Sequence, residues 1–356
     1  MKVVTVIGAR PQFIKAAAVS RFLRDRVTEL YIHTGQHYDD NMSDIFFREM
    51  SIPQPDYNLG IGGGSHGSMT GEMLAGIEKI CLEEKPDSLL VYGDTNSTLA
   101  GALAAVKLHI PVVHVEAGLR SFNRHMPEEI NRLLTDHIST LLFCPSQVAV
   151  NNLAAEGITQ NVHLVGDVMM DSLAFYTPHA IRHSNILNRL NLAEKDYILL
   201  TLHRAENVDQ PLRLSNILEA LITIDQNIVF PVHPRTRKQL ISLGATERFQ
   251  TNPKIHLIDP VGYLDMILLE KSASIIMTDS GGVQKEAYWF QVPCLTLRDE
   301  TEWTETVDAG WNRLVRINQH DIIVAIQNAK YPLAHPPLYG DGKAGIWITE
   351  RMVGFF

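Results

Sequence analysis

Short apolar runs alternate with helix-length stretches of mixed polarity along most of this chain. That is the pattern of βα units on a parallel sheet. In the first half, Val3–Ile7, Leu30–His33, Leu89–Tyr92, Val112–Val115, Leu141–Phe143 and Val162–Val165 are predicted strands. The second half repeats the arrangement with Tyr197–Leu202, Ile228–Val232, Ile255–Ile258, Ile275–Met277, Cys294–Leu297 and Arg313–Val315. These runs are nearly continuous in apolar residues, as expected of strands covered on both faces. Between the two sets, Asp171–Lys195 is poorly periodic, contains Thr177-Pro178-His179, and reads as a linker. The expected architecture is α/β: two Rossmann-like, doubly wound domains, residues 1–170 and 171–340, facing each other across a cleft.

Composition narrows the class. The length of 356 residues suits two domains of about 150–200 residues each. The 31 basic and 40 acidic residues leave a net charge of −9, which argues against general binding to nucleic acid or to an anionic membrane. No apolar run approaches the ~20 residues that cross a bilayer, and the first one is too short for a secretory leader. Cys81, Cys144 and Cys294 are scattered without metal-ligand spacing, as suits a reducing compartment. A cytoplasmic protein is expected. Walker A, H-E-x-x-H, G-x-S-x-G and clustered Cys/His patterns are all missing, so neither a metal nor a cofactor is expected.

Candidate chemistry gathers at the predicted strand ends, where open α/β sheets bind their ligands. Asp94 follows Leu89–Tyr92, Glu116 follows Val112–Val115, and Glu128 comes directly after Pro127 at a helix start. Plain alternatives exist for two of them. Asp94 precedes Thr95, Asn96 and Ser97 and could cap a helix. Glu128 and Glu129 could simply favour a helix dipole. Glu116 has no such alternative, and an acid in a cleft suits general acid or base work.

A second group looks built for a diphosphate. Ser280-Gly281-Gly282 sits between a strand and a helix, where glycines let backbone N–H groups approach an anion. Glu286 falls nearly two turns into that helix, a place from which a carboxylate can accept both ribose hydroxyls. Arg10 and Lys15, around Pro11 at the first helix start, add cationic support. His203 ends a strand, where its ring can bond a phosphate or protonate a leaving group. His233 and Arg235 lie in a similar but proline-flanked turn. Gly62 to Gly67 spells G-x-G-x-x-G, yet Ser51–Asp56 before it holds two prolines and cannot be a central strand. It reads as a loop. Acids opposite a phosphate cradle suggest proton transfer on a nucleotide-linked substrate.

Gly8–Lys15, Thr34–His37, Gly93–Thr95, His114–Arg120, Pro127–Arg132, His203–Asn207, His233–Arg235, Asp279–Glu286 and Arg298–Glu302, in this order, resemble the non-hydrolysing UDP-N-acetylglucosamine 2-epimerases. The resemblance spans nearly the whole chain. It implies a GT-B type fold, a homodimer, and a final helix near 340–356 that packs back on the first domain. It implies epimerisation of UDP-GlcNAc to UDP-ManNAc for surface polysaccharide precursors, by elimination of UDP to 2-acetamidoglucal and readdition. Asp94, Glu116 and Glu128 match the acids tied to proton transfer, and His203 matches the histidine near the diphosphate. Arg10, Lys15 and Ser280 match phosphate contacts, with His233, Arg235, Gly281, Gly282 and Arg298 in the same blocks, and Glu286 matches the ribose carboxylate. Gln36, His37, Ser68 and Met69 fall where bacterial members hold a second UDP-sugar as activator. The Gly8-Ala9-Arg10-Pro11-Gln12 form is similar to the branch that acts on UDP-2,3-diacetamido-glucuronate, an alternative substrate. A GT-B glycosyltransferase or an inactive UDP-sugar sensor would share the cradle. Gly345–Thr349 departs from the family pattern and reads as an insertion.

Overall fold

The computed structural model describes residues 1–36 and 54–356. It divides the chain into two compact units, Met1–Phe175 with Pro337–Phe356, and Tyr176–Pro336.

Unit 1 is built on strands β1 (Lys2–Ile7), β2 (Thr28–His33), β3 (Tyr57–Asn58), β4 (Ser88–Tyr92), β5 (Val112–Val115), β6 (Leu141–Cys144) and β7 (Val162–Leu164). Their spatial order is β3-β2-β1-β4-β5-β6-β7, and every pairing is parallel. Strand order reverses between β1 and β4, the switch point at which open α/β sheets bind ligands. Unit 2 carries β8 (Tyr197–Thr201), β9 (Asn227–Pro231), β10 (Ile255–Ile258), β11 (Ile275–Thr278), β12 (Cys294–Thr296) and β13 (Asn312–Leu314). The order there is β10-β9-β8-β11-β12-β13, again all parallel, with its switch between β8 and β11.

The continuous apolar runs are explained by what covers each sheet. In unit 2, Ile198, Leu200, Phe230 and Met277 belong to one buried cluster. Their neighbours Tyr197, Leu199, Val229 and Ile276 belong to another. Successive side chains point to opposite faces of a strand, so both faces must be apolar when helices cover both. In unit 1, Leu89 through Tyr92 of β4 are wholly buried.

One expectation is refined. Asp171–Lys195 does carry the chain from one unit to the other, the boundary falling between Phe175 and Tyr176, but it is not irregular: most of it lies in the helices Val168–His183 and Ile186–Leu190. Val168 through Leu173 are all buried, which erases the amphipathic period, and Pro178 sits inside the helix. Gly345–Thr349 lies in the first turns of the helix Ala344–Phe355. Gly345 is where that helix meets the helix Arg10–Leu23: a Cβ there would lie 2.5 Å from the carbonyl oxygen of Ala18. Asp171 holds the same helix start, accepting from the backbone N–H groups of Ala344 (3.0 Å) and Gly345 (2.7 Å).

The helix Pro127–Ile138 is inverted relative to an ordinary surface helix. Its buried residues are Glu129, Asn131, Arg132, Thr135 and Asp136, whereas Ile130 and Leu134 are exposed at 39% and 47%. Burying charge is costly unless each group is paired, and the pairing here converges on the candidate site.

Candidate active site

In unit 1, three turns meet past the ends of β1, β4 and β5. The helix Arg10–Leu23 starts two residues after β1, and buried Gln12 stitches that turn to its neighbour. Its Oε1 accepts from Gly8 N (2.8 Å) and Ala9 N (3.0 Å), while its Nε2 donates to the Tyr92 carbonyl (3.0 Å) and Thr98 Oγ1 (3.1 Å). Lys15 faces the same turn and forms an ion pair with Glu116, both side chains being a tenth exposed or less. Glu116 holds a left-handed backbone, φ +73°, a conformation that costs energy in a residue with a Cβ and persists where its surroundings enforce it. Arg10 opens the first helix.

Asp94 does not cap a helix. Thr95 does, its side chain accepting from Thr98 N at 3.3 Å. The Asp94 carboxylate instead takes Arg132 Nη2 at 2.5 Å with its side chain 31% exposed, and its carbonyl takes Asn131 Nδ2 at 2.9 Å. Asp94 and Glu116 thus follow adjacent strands, and each carboxylate is ion-paired, Asp94 with Arg132 and Glu116 with Lys15. Glu128 is exposed one residue from buried Glu129. Beneath the site, His114 contacts the Gly93 carbonyl through Nε2 (2.8 Å) and Asp136 through Nδ1 (2.7 Å). Asp136 also accepts from Gly118 N and Arg120. Burial alone would push the Asp136 carboxyl up, but His114 and then Arg120 outweigh it and hold it below its usual range.

Of the residues matched to the activator region, His37 lies outside the described residues. Gln36 accepts from Ser97 N (3.1 Å) and Ser97 Oγ (2.7 Å), at the start of the helix Asn96–Lys107. Ser68, exposed, donates to Glu72 at 2.8 Å, and Met69 packs against the unit 1 core. Both stand in the first turn of the helix His66–Glu84, which begins inside the glycine-rich stretch.

Unit 2 assembles its site at the β8/β11 switch. Asp279, fully buried just past β11, accepts from the backbone N–H groups of His203 (3.1 Å) and Arg204 (3.1 Å) and from Asn207 Nδ2 (3.2 Å). Its Oδ1 lies 3.0 Å from His203 Nδ1. Burial pushes this carboxyl up, yet His203 and those N–H donors outweigh it and keep it low. The carboxylate fixes the ring of His203, whose side chain is 44% exposed, so Nε2 remains for a ligand.

Ser280 precedes the helix Gly281–Trp289 without spending its hydroxyl on a cap, and no acid stands in the first turn. That helix start favours an anion. Glu302 closes over Gly281: a Cβ there would lie 2.6 Å from Glu302 Oε1, so a larger residue would push that side chain aside. Gly282 follows in the same turn, and Glu286 is buried in the second. Arg298 is buried against Glu302 at 3.0 Å. The His233 ring centroid lies 6.1 Å from that of His203, whereas Arg235 is drawn off into an ion pair with Asp209. Buried Lys285, with its Nζ 4.0 Å over the Trp303 ring, and Gln12 were missed in the sequence. A lysine inside a Gly-Gly helix start was the available signal for the first; for the second, a glutamine at the third helical position marks the local bond back to the helix start but not the reach to Tyr92 and Thr98.

Two parallel α/β units with charged groups gathered at their switch points, one of them around a glycine-opened helix start, define a two-domain enzyme of nucleotide-sugar type. Comparison with known proteins makes this specific. Residues 22–353 match the family model described as UDP-N-acetylglucosamine 2-epimerase. The chain is 55% identical over 354 residues to a UDP-N-acetylglucosamine 2-epimerase homolog of Methanococcus maripaludis, covering 98% of this chain and 99% of that one. It is 52% identical over 363 residues to the UDP-2,3-diacetamido-2,3-dideoxy-D-glucuronate 2-epimerase of Pseudomonas aeruginosa, covering 99% of each. The crystal structure of Methanocaldococcus jannaschii UDP-GlcNAc 2-epimerase in complex with UDP-GlcNAc and UDP superposes with a TM-score of 0.92 at 48% identity, covering 99% of this chain and 100% of that one. The chain belongs to the UDP-N-acetylglucosamine 2-epimerase family, isomerases of GT-B type.

Proposed function

We propose that this protein inverts C2 of a UDP-N-acetylhexosamine, interconverting UDP-GlcNAc and UDP-ManNAc without an oxidising cofactor. The observation that carries the reading is the pair Asp94 and Glu116, two carboxylates on adjacent strand ends, ion-paired with Arg132 and Lys15 respectively. The C2 proton of the sugar is not acidic, because no carbonyl adjoins it in the ring, so inversion proceeds by elimination. A base takes the C2 proton, the C1–O bond breaks with its electron pair leaving on the UDP oxygen, and C1=C2 forms as 2-acetamidoglucal. UDP then adds back to C1 as a proton reaches C2 from the opposite face. Two acid/base groups and cationic support for the departing diphosphate meet these needs. Asp94 and Glu116 take the proton roles, with exposed Glu128 as a third acid. His203, Ser280, Gly281, Gly282 and Arg298 hold the diphosphate, with Arg10, Lys15, His233 and Arg235 as further cationic or donor groups, and Glu286 takes the ribose.

Proton NMR with UDP-GlcNAc alone in D2O tests this. Deuterium at C2 together with UDP-ManNAc is expected; UDP-GlcNAc left unchanged, with no deuterium, overturns the substrate assignment. Glu116→Gln should lower turnover by about a thousandfold, within the range of a lost acid/base group, while UDP affinity stays near wild type. Wild-type turnover in that variant would remove Glu116 from the chemistry.

The Pseudomonas relative supports a second reading, the same chemistry on UDP-2,3-diacetamido-glucuronate. Comparing kcat/KM for the two UDP-sugars decides between them. The reading extends to a cytoplasmic homodimer with a second UDP-sugar as activator. The exposed pair Ile130 and Leu134 supports self-association, and light scattering of Ile130→Asp/Leu134→Asp should report a monomer where the parent is a dimer. Sigmoidal dependence of rate on UDP-sugar tests the activator.

A further inference from the structure

Glu129 stands beside Glu128 in the first turn of the helix Pro127–Ile138, yet the two differ completely in surroundings. Glu129 is 1% exposed, and its carboxylate accepts four hydrogen bonds. Oε2 takes Ser121 N (2.9 Å), Ser121 Oγ (3.0 Å) and Arg132 Nη1 (2.9 Å), and Oε1 takes Phe122 N (2.9 Å). A buried carboxylate of this kind is seldom the cheapest way to stabilise a helix, since an apolar residue of similar volume often serves as well or better. Its arrangement therefore points to a task of orientation.

Two things hang on it. Phe122 holds φ +60°, a strained backbone for a residue with a Cβ, and its ring, 76% exposed, adds little packing to hold it there. The bond from Phe122 N to Glu129 pins this turn from beneath. On the other side, Arg132 spans two carboxylates, giving Nη1 to Glu129 and Nη2 to Asp94. A guanidinium is a planar, rigid fork, so fixing one arm sets the direction of the other. Asn131, the next residue back, holds the Asp94 carbonyl and Asn96 Oδ1.

We propose that Glu129 is a positioning residue, setting the Asp94 carboxylate through Arg132 and locking the Ser121–Phe122 turn to the same frame. Resting on the role of Asp94 in the proposed epimerisation, this makes the inverted polar face of the helix Pro127–Ile138 part of the catalytic frame. Glu129 itself touches no substrate, so its loss acts on turnover and not on ligand affinity.

Steady-state kinetics with C2 deuterium incorporation, on wild type, Glu129→Gln, Arg132→Lys and the double variant, tests it. Lysine keeps the charge but cannot bridge both carboxylates. Each single variant should lose kcat by about tenfold or more, because small misplacements of a reacting group are costly. KM and the Kd for UDP should stay within about twofold, and the double variant should fall no further than the worse single one, as residues acting as a unit do. Unchanged kcat in either variant, a loss confined to KM or UDP affinity, or losses that multiply in the double variant would overturn the proposal. Should Glu129→Gln not fold, Arg132→Lys alone decides between retained and lost kcat. Wild-type protein that turns over neither UDP-sugar removes the proposed reaction, and this inference with it.

Discussion

Asp94 and Asp279 both stand just beyond a central parallel strand, yet they are prepared for different work. Asp279 is fully buried, its donors coming from His203, Arg204 and Asn207, and its carboxyl is held low. A depressed carboxyl stabilises the fold above the ordinary carboxylate value of about 4 and loses that contribution as pH falls through its folded value. Asp279→Asn should therefore cost about 2 kcal/mol at neutral pH, the scale for losing hydrogen bonds to a charged group, and weaken UDP binding by releasing the His203 ring. Denaturant titration and calorimetry with UDP check both; equal stability at pH 7 would refute the assignment. At this scale the sequence was a partial guide. Asp94 and Glu116 were legible because each ends an apolar run. Glu128 and Glu129 look alike in the sequence; only helix phase buries one and exposes the other. Beyond its local bonds to Gly8 and Ala9, Gln12 reaches across 80 residues and more to Tyr92 and Thr98, contacts that no local pattern encodes.

Among the elements, strands were read well wherever both faces are covered, since apolar continuity is then obligatory. The two-residue strand Tyr57–Asn58 is too short to carry a period. The helix Val168–His183 was missed because its first turns are buried on all sides, leaving no polar face to mark it. That helix offers a test through Asp171, whose carboxyl burial pushes up to about 6, with the Ala344 and Gly345 amides pulling the other way. A raised carboxyl stays protonated in the fold where the unfolded chain, near 4, has already ionised. Stability therefore falls as pH rises from about 4 to about 6 and levels off above. Against Asp171→Asn, wild type should lose up to about 3 kcal/mol across this window, measured by denaturant unfolding at a series of pH values. A parallel dependence in both proteins would show that Asp171 keeps an ordinary titration.

For the molecule as a whole, each unit has its own sheet and its own switch point, and each carries part of the candidate set. Unit 1 carries paired carboxylates and cations; unit 2 carries the glycine-opened helix start with an oriented histidine. None of the described helices is long and apolar enough to cross a membrane. The two units also differ in how they are threaded. Unit 2 is one uninterrupted stretch, Tyr176–Pro336, whereas unit 1 needs Pro337–Phe356 as well. During synthesis this reverses the usual precedence. Unit 1 is begun first, but the groove beside Ala18 that receives Gly345 stays open until the whole of unit 2 has been made. At about 5–20 residues per second that interval is roughly ten to thirty seconds, at the end of which the second domain has its whole chain while the first, begun earlier, still lacks its last helix.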